Sequence, residues 1–126
     1  MLVVFYLAWL IAIALVGVGI YALAAPQRLA HQYGVAAHGH DAAGWVRATG
    51  IRDVALGVAL GATAYLHAVG LLVVLAVMGV VVSIADLRIV SHHGGEHKHH
   101  AAHAIHASGV VAFILILTMA LFAIGR

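Results

Sequence analysis

Residues 47–66 read Arg-Ala-Thr-Gly-Ile-Arg-Asp-Val-Ala-Leu-Gly-Val-Ala-Leu-Gly-Ala-Thr-Ala-Tyr-Leu. Two arginines and an aspartate open what is otherwise an apolar helix. Crossing about 30 Å of hydrocarbon takes roughly 20 residues at 1.5 Å of rise each. Counted back from Leu66, that length ends at Arg47. The helix therefore spans a bilayer only if Arg47, Arg52 and Asp53 lie in the membrane or at its edge. At the centre of a helix each charge costs roughly 2.5–3.5 kcal/mol to insert, and less near the interface. Charges in that position need partners.

The rest of the chain makes a membrane reading compulsory. Of 126 residues, 65% are hydrophobic and 8% charged, with a mean hydropathy of +1.12. A soluble domain carries about 25% charged residues. The length allows one bundle, so residues 1–126 are read as a single transmembrane domain. A formal charge of +2 is too small and too scattered for nucleic acid. The absence of cysteine removes disulfides, thiol catalysis and Cys-ligated metals.

Four apolar runs predict spans at about 2–25, 42–66, 71–90 and 101–124. The first lacks a basic segment before it and is too long for a signal peptide, so it reads as a retained helix. Tyr6 and Trp9 sit where an interfacial aromatic belt is expected. Pro26 ends the first run and starts a short surface helix to about Tyr33, with Gly34 as its C-cap. His38-Gly39-His40-Asp41 reads as a turn with Asp41 as an N-cap. Residues 67–70 are long enough only for a tight hairpin, and residues 91–100 form a loop rich in His and Gly. The expected fold is all-α, an up-down four-helix bundle in the membrane with one interfacial helix between spans 1 and 2.

Arg28, Arg47, Arg52, Arg88 and Lys98 fall at the end of the first and third loops, and Arg126 at the other. The positive-inside rule then puts both loops in the cytoplasm and both termini outside, as in a bacterial inner membrane.

At 100° per residue, Gly50, Asp53, Gly57, Gly61 and Ala64 share one helical stripe. The Gly-x-x-x-Gly from Gly57 to Gly61 lets a second backbone approach closely, and Gly79 opens a similar small-residue stripe in the third span. Asp53 and Asp86 both face inward at similar depth. The economical arrangement joins them through Arg47, Arg52 or both, since two carboxylates alone in low dielectric conflict. Such a network either fixes helix register or lines a polar pocket for a small polar or anionic ligand, a lipid headgroup or a proton.

His99, His103 and His106 follow at i, i+4 and i+7 on one face of the last helix. With His92, His93, His97 and His100 nearby, this tract has the chemistry to take Zn, Ni or Cu. A solvated loop beside anionic headgroups is the alternative. His106 lies deepest and is the residue expected to reach Asp53 or Asp86 as hydrogen-bond partner or proton carrier. A bis-His haem is disfavoured, because no two facing helices carry histidines at matching depth. No Ser or Thr stands beside a clear base along the chain.

The run Pro26…Ala30…Gly34-Val35, Arg47…Gly50-Ile51-Arg52-Asp53…Gly57, Asp86…Ile89-Val90 and His106 resembles a family of small bacterial and fungal membrane proteins. That family is a domain of unknown function, similar to the DoxX-like group of four-helix membrane proteins. The resemblance covers most of the chain, and Gly50-Ile51-Arg52-Asp53 is its most specific part. It implies four spans and prominence for Arg47, Arg52, Asp53, Asp86 and His106, but no activity. The tract from His92 to His103 departs from the pattern.

Three functions stay open from the sequence. The first is a binding protein for a small polar or anionic ligand, with a metal-linked variant through the histidines. The second is a membrane enzyme using His106 with Asp53 or Asp86 for acid–base chemistry on a lipophilic substrate. The third is an assembly factor or accessory subunit that docks a larger membrane partner through its Gly-x-x-x-Gly and its surface helix. The glycine stripes are also suited to a homo-oligomer within the lipid bilayer.

Overall fold

Long apolar runs without internal proline leave the backbone one economical way to satisfy its N–H and C=O groups in lipid, the α-helix. A computed structural model of the chain describes residues 2–32, 40–93 and 99–125. It contains five helices: α1 (Leu2–Ala24), α2 (Pro26–Gln32), α3 (His40–Tyr65), α4 (Val69–His93) and α5 (His99–Ile124). Three of them carry stretches long and apolar enough to cross a membrane, at Leu2–Ala24, Val69–His92 and His103–Ile124. Their exposed faces, including Leu10, Ile13, Val74, Val81 and Val111, are compatible with lipid contact.

The helix expected as the second span differs. With 26 residues α3 has the length to span. It is not apolar enough by itself, because Arg52 and Asp53 interrupt it and glycine and threonine dilute the remainder. The helix also begins earlier than expected, at His40, so Asp41 lies in its first turn rather than ahead of it. The C-cap expected at Gly34 and the turn at residues 38–39 lie outside the described residues.

Pro26 opens α2 as expected, and the chain between α1 and α2 is a single residue, Ala25. Pro26, Leu29 and Ala30 are buried while Arg28 is exposed. The short helix thus turns its apolar side to the protein, against α3 and the end of α1.

Packing is pairwise. α1 lies along α3, α4 lies along α5, and the two pairs meet through narrower α3–α4 and α1–α5 contacts. Gly57 explains the first pair, since a Cβ there would stand 2.8 Å from the carbonyl oxygen of Ala12. Only a missing side chain allows backbones that close. Gly50 meets Gly19 and Ala22 in the same way, and Gly61 lies under the Trp9 ring. In the second pair Gly79 receives the ring of Phe113, and Ser83 fits over Gly109. These contacts set an antiparallel register in both pairs.

The apolar core joins all four long helices: Phe5, Ala8 and Ala12, then Leu56 and Leu60, then Leu72 and Ala76, then Phe113 and Ile116. It is concentrated toward the α3–α4 turn. There His67 adopts a positive φ of 53°, and its ring meets Phe5 edge-on at 4.7 Å. The opposite end is held by polar chemistry.

Candidate functional site

Arg52 lies about 20 Å along α3 from the α3–α4 turn, at 1.5 Å per residue. Its side chain crosses to α4. Nη1 donates to Asp86 Oδ1 at 2.9 Å and Nη2 to Asp86 Oδ2 at 2.7 Å, a two-pronged fork on one carboxylate. Nε and Nη2 also donate to Asp53 Oδ1, at 3.2 and 2.9 Å. A single guanidinium thus bridges two carboxylates from different helices. α5 adds His106, whose Nδ1 stands 3.9 Å from Asp86 Oδ2. At that distance the imidazole acts on the carboxylate through charge rather than a direct hydrogen bond.

The cluster is enclosed unevenly. The side chains of Asp53, Asp86 and His106 are 15%, 15% and 16% exposed, and that of Arg52 is 36%. The carboxylates and imidazole therefore sit between helices, and the open side is the arginine's. Asp53 comes from the α1–α3 pair, and Asp86 and His106 from the α4–α5 pair. The cluster joins the two pairs, whose contacts with each other are narrower than the contacts within each pair.

Of the residues singled out from the sequence, Arg52, Asp53, Asp86 and His106 converge. Arg47 does not join them. It is exposed and makes no ion pair among the described residues. The reason is helical phase: five residues before Arg52, its side chain leaves the α3–α4 seam. Arg88 is also exposed, on the far side of α4 from Asp86. Gly50, Gly57, Gly61 and Gly79 all lie at close helix contacts within the chain.

The histidine tract is reached only in part. His97 and the side chains of His93, His99 and His100 lie outside the described residues. His92 is exposed. His103 and His106 meet different neighbours, Ser91 and Asp86. Among the described residues no group of three or more histidines or carboxylates is placed to hold a metal ion.

One contact escaped the sequence reading. Ser91 Oγ lies 2.9 Å from His103 Nε2, which has the distance of a nucleophile and its base. A serine hydroxyl has one hydrogen, and Ser91 Oγ also lies 2.7 Å from the carbonyl of Leu87, a common helix back-bond. While Ser91 donates there it can only accept from His103, which requires the tautomer with the proton on Nε2. Only the antiparallel register of α4 and α5 brings the two together, so nothing local in the sequence announces the pair.

The fold and the cluster together define a class: an all-helical protein with three stretches long and apolar enough to cross a membrane and a half-enclosed charge network between its helix pairs. Residues 12–121 match the family described as a domain of unknown function, DUF4267, and the chain belongs to that family. The match carries no tie to the DoxX-like group. No curated protein and no solved structure matches the chain.

Proposed function

We propose that this protein is a four-helix membrane bundle, with α3 crossing the bilayer beside three apolar spans, that binds a small polar ligand or a lipid headgroup at Arg52, Asp53, Asp86 and His106. The observation that carries the reading is the bridging of Asp53 and Asp86 by Arg52 at a seam between helix pairs. Charges inside a membrane protein are expensive and mark functional sites by default. Partnered as they are, these charges let α3 cross where its own composition does not favour it. The kinship to the DoxX-like group belongs to this proposal and rests on the residue pattern alone. Orientation with the cluster end in the cytoplasm, in a bacterial inner membrane, rests on the basic residues at that end.

Within this reading a polar ligand fits better than an anionic one. Arg52 makes four hydrogen bonds to its two carboxylates. A guanidinium has five N–H donors, so one is left for an incoming anion, with two carboxylates beside it. The enzyme alternative rests on His106 beside Asp86, a pairing suited to moving a proton. The accessory-subunit alternative has less support, because Gly50, Gly57 and Gly61 are already used against α1. A partner or a second copy of this chain would have to use the exposed apolar faces. A metal-linked version through the histidine tract is a separate element of the proposal.

Native mass spectrometry of the untagged protein, with elemental analysis, tests these readings together. The expected result is a retained organic mass that Asp53→Asn removes. Stoichiometric metal lost in a His99/His103 double variant would move the function to the histidine face. A clean apo mass in wild type would make the cluster a structural clasp.

A further inference from the structure

The sign of the charge in the cluster has a chemical consequence. Among the described residues the seam holds one permanent cation, Arg52, and two carboxylates, Asp53 and Asp86. With a neutral imidazole on His106 the group carries one excess negative charge. Such a charge, largely enclosed between membrane helices, attracts a compensating cation far more strongly than the same charge in water. Asp86 has both oxygens engaged by the arginine fork. Asp53 is engaged through Oδ1 alone, and its Oδ2 accepts no hydrogen bond from a described residue. The negative charge thus has an acceptor atom available at Asp53.

We propose that the group bound at this seam is an ammonium, seated on Asp53 Oδ2 beside the Arg52–Asp86 fork. The inference rests on the binding reading above and names its ligand class. A primary ammonium supplies up to three N–H donors and one positive charge, which completes the balance. Two sources carry that chemistry, the headgroup amine of phosphatidylethanolamine and a free alkylamine. The exposed side of Arg52 leaves the seam open to either.

Among the described residues, the charged and titratable groups around His106 include Asp86 from α4, Asp53 and Arg52 from α3, and His103 from its own helix. A proton on His106 cancels the same excess charge. Ammonium and proton therefore compete for one negative charge, and ammonium binding weakens as His106 becomes protonated.

The test is native mass spectrometry of the full chain in detergent with equal amounts of phosphatidylethanolamine and phosphatidylglycerol, and separately with free ethylamine. The expected result is retention of phosphatidylethanolamine over phosphatidylglycerol by at least tenfold, lost in Asp53→Asn and kept in Asp53→Glu. Ethylamine that displaces the lipid would identify the amine itself as the recognised group. Ethylamine that binds where phosphatidylethanolamine does not would assign the site to a soluble amine. His106→Lys provides a folded control, since it supplies a built-in ammonium and neutralises the seam. It should abolish retention without lowering the melting temperature. Preferred retention of phosphatidylglycerol that depends on Asp53 would overturn the ammonium while leaving the binding site standing. No mass dependent on Asp53, in any mixture, would overturn both.

Discussion

Arg52 shows how one side chain holds two carboxylates from different helices together in a nearly uncharged chain. Its fork satisfies Asp86, its remaining edge reaches Asp53, and three costly charges become one hydrogen-bonded unit. Removing it leaves two carboxylates facing one another. Loss of one partner from a buried pair costs 3–5 kcal/mol. Arg52 is about a third exposed, so solvent screening reduces that figure, and Arg52→Ala is expected to cost about 2 kcal/mol. Arg52→Lys should recover only part, because an ammonium cannot place two parallel donors on Asp86 while a third reaches Asp53. Thermal unfolding in detergent reads both variants. An unchanged melting temperature in Arg52→Ala would show that the bridge contributes nothing to stability. The convergence of Arg52, Asp53 and Asp86 was legible from sequence because charges in so apolar a chain have few partners available. Which arginine serves was not legible: on the helical wheel Arg47 flanks the Asp53 stripe and Arg52 lies about 100° from it, yet Arg52 is the one whose side chain meets both carboxylates. The Ser91–His103 contact was not legible at all, since it depends on register between two helices.

At the scale of elements, the helices divide into those that composition alone announces and one that it does not. α1, α4 and α5 are apolar enough to be read directly as crossing stretches. α3 is legible as a helix and as a packing surface, through Gly50, Gly57 and Gly61, but its charges hide its place until their partners are known. The glycine stripe lies on the face where Gly50, Gly57 and Gly61 approach another helix closely. It left open what fills that face, which proved to be α1 within the same chain. Gly79 was legible as a small position, whereas the Phe113 ring that occupies the space was not, because a gap in one helix does not name the knob in another. These contacts separate two kinds of glycine. Gly57→Ala should destabilise the α1–α3 pair, since the new Cβ would press on the Ala12 carbonyl and backbone cannot yield cheaply. Gly17→Ala meets open space and should be neutral or slightly stabilising, by up to about 1 kcal/mol of helix propensity. Melting temperatures of the two variants measured side by side decide it. Equal behaviour would mean that the α1–α3 approach is looser than described.

At the scale of the whole molecule, the two ends are held by different physics. Near the α3–α4 turn, apolar side chains from all four long helices interlock around Leu60, Leu72 and Ile116. Among the described residues the apolar cluster does not extend to the other end, where the Arg52 bridge joins the helix pairs. That asymmetry matches the distribution of exposed basic residues, with Arg28, Arg47 and Arg88 all at the bridge end. If α3 crosses the bilayer, the bridge end and the turn end lie on opposite sides of the membrane, and the orientation proposed above from the basic residues puts the bridge end inside. The chain has no cysteine of its own, so single introduced thiols can report on each end without background. Gly44, on α3 beyond the bridge, and Gly70, just past the turn, both have open space where a side chain would begin. Cysteine at either position should therefore leave the fold intact. In intact spheroplasts a membrane-impermeant maleimide is expected to label Gly70→Cys, and to label Gly44→Cys only after the membrane is opened. The reverse pattern would invert the orientation while preserving the crossing. Labelling of both positions from the same side would mean that α3 does not cross, and that its charges lie at a membrane surface instead of being carried into the bilayer by Arg52.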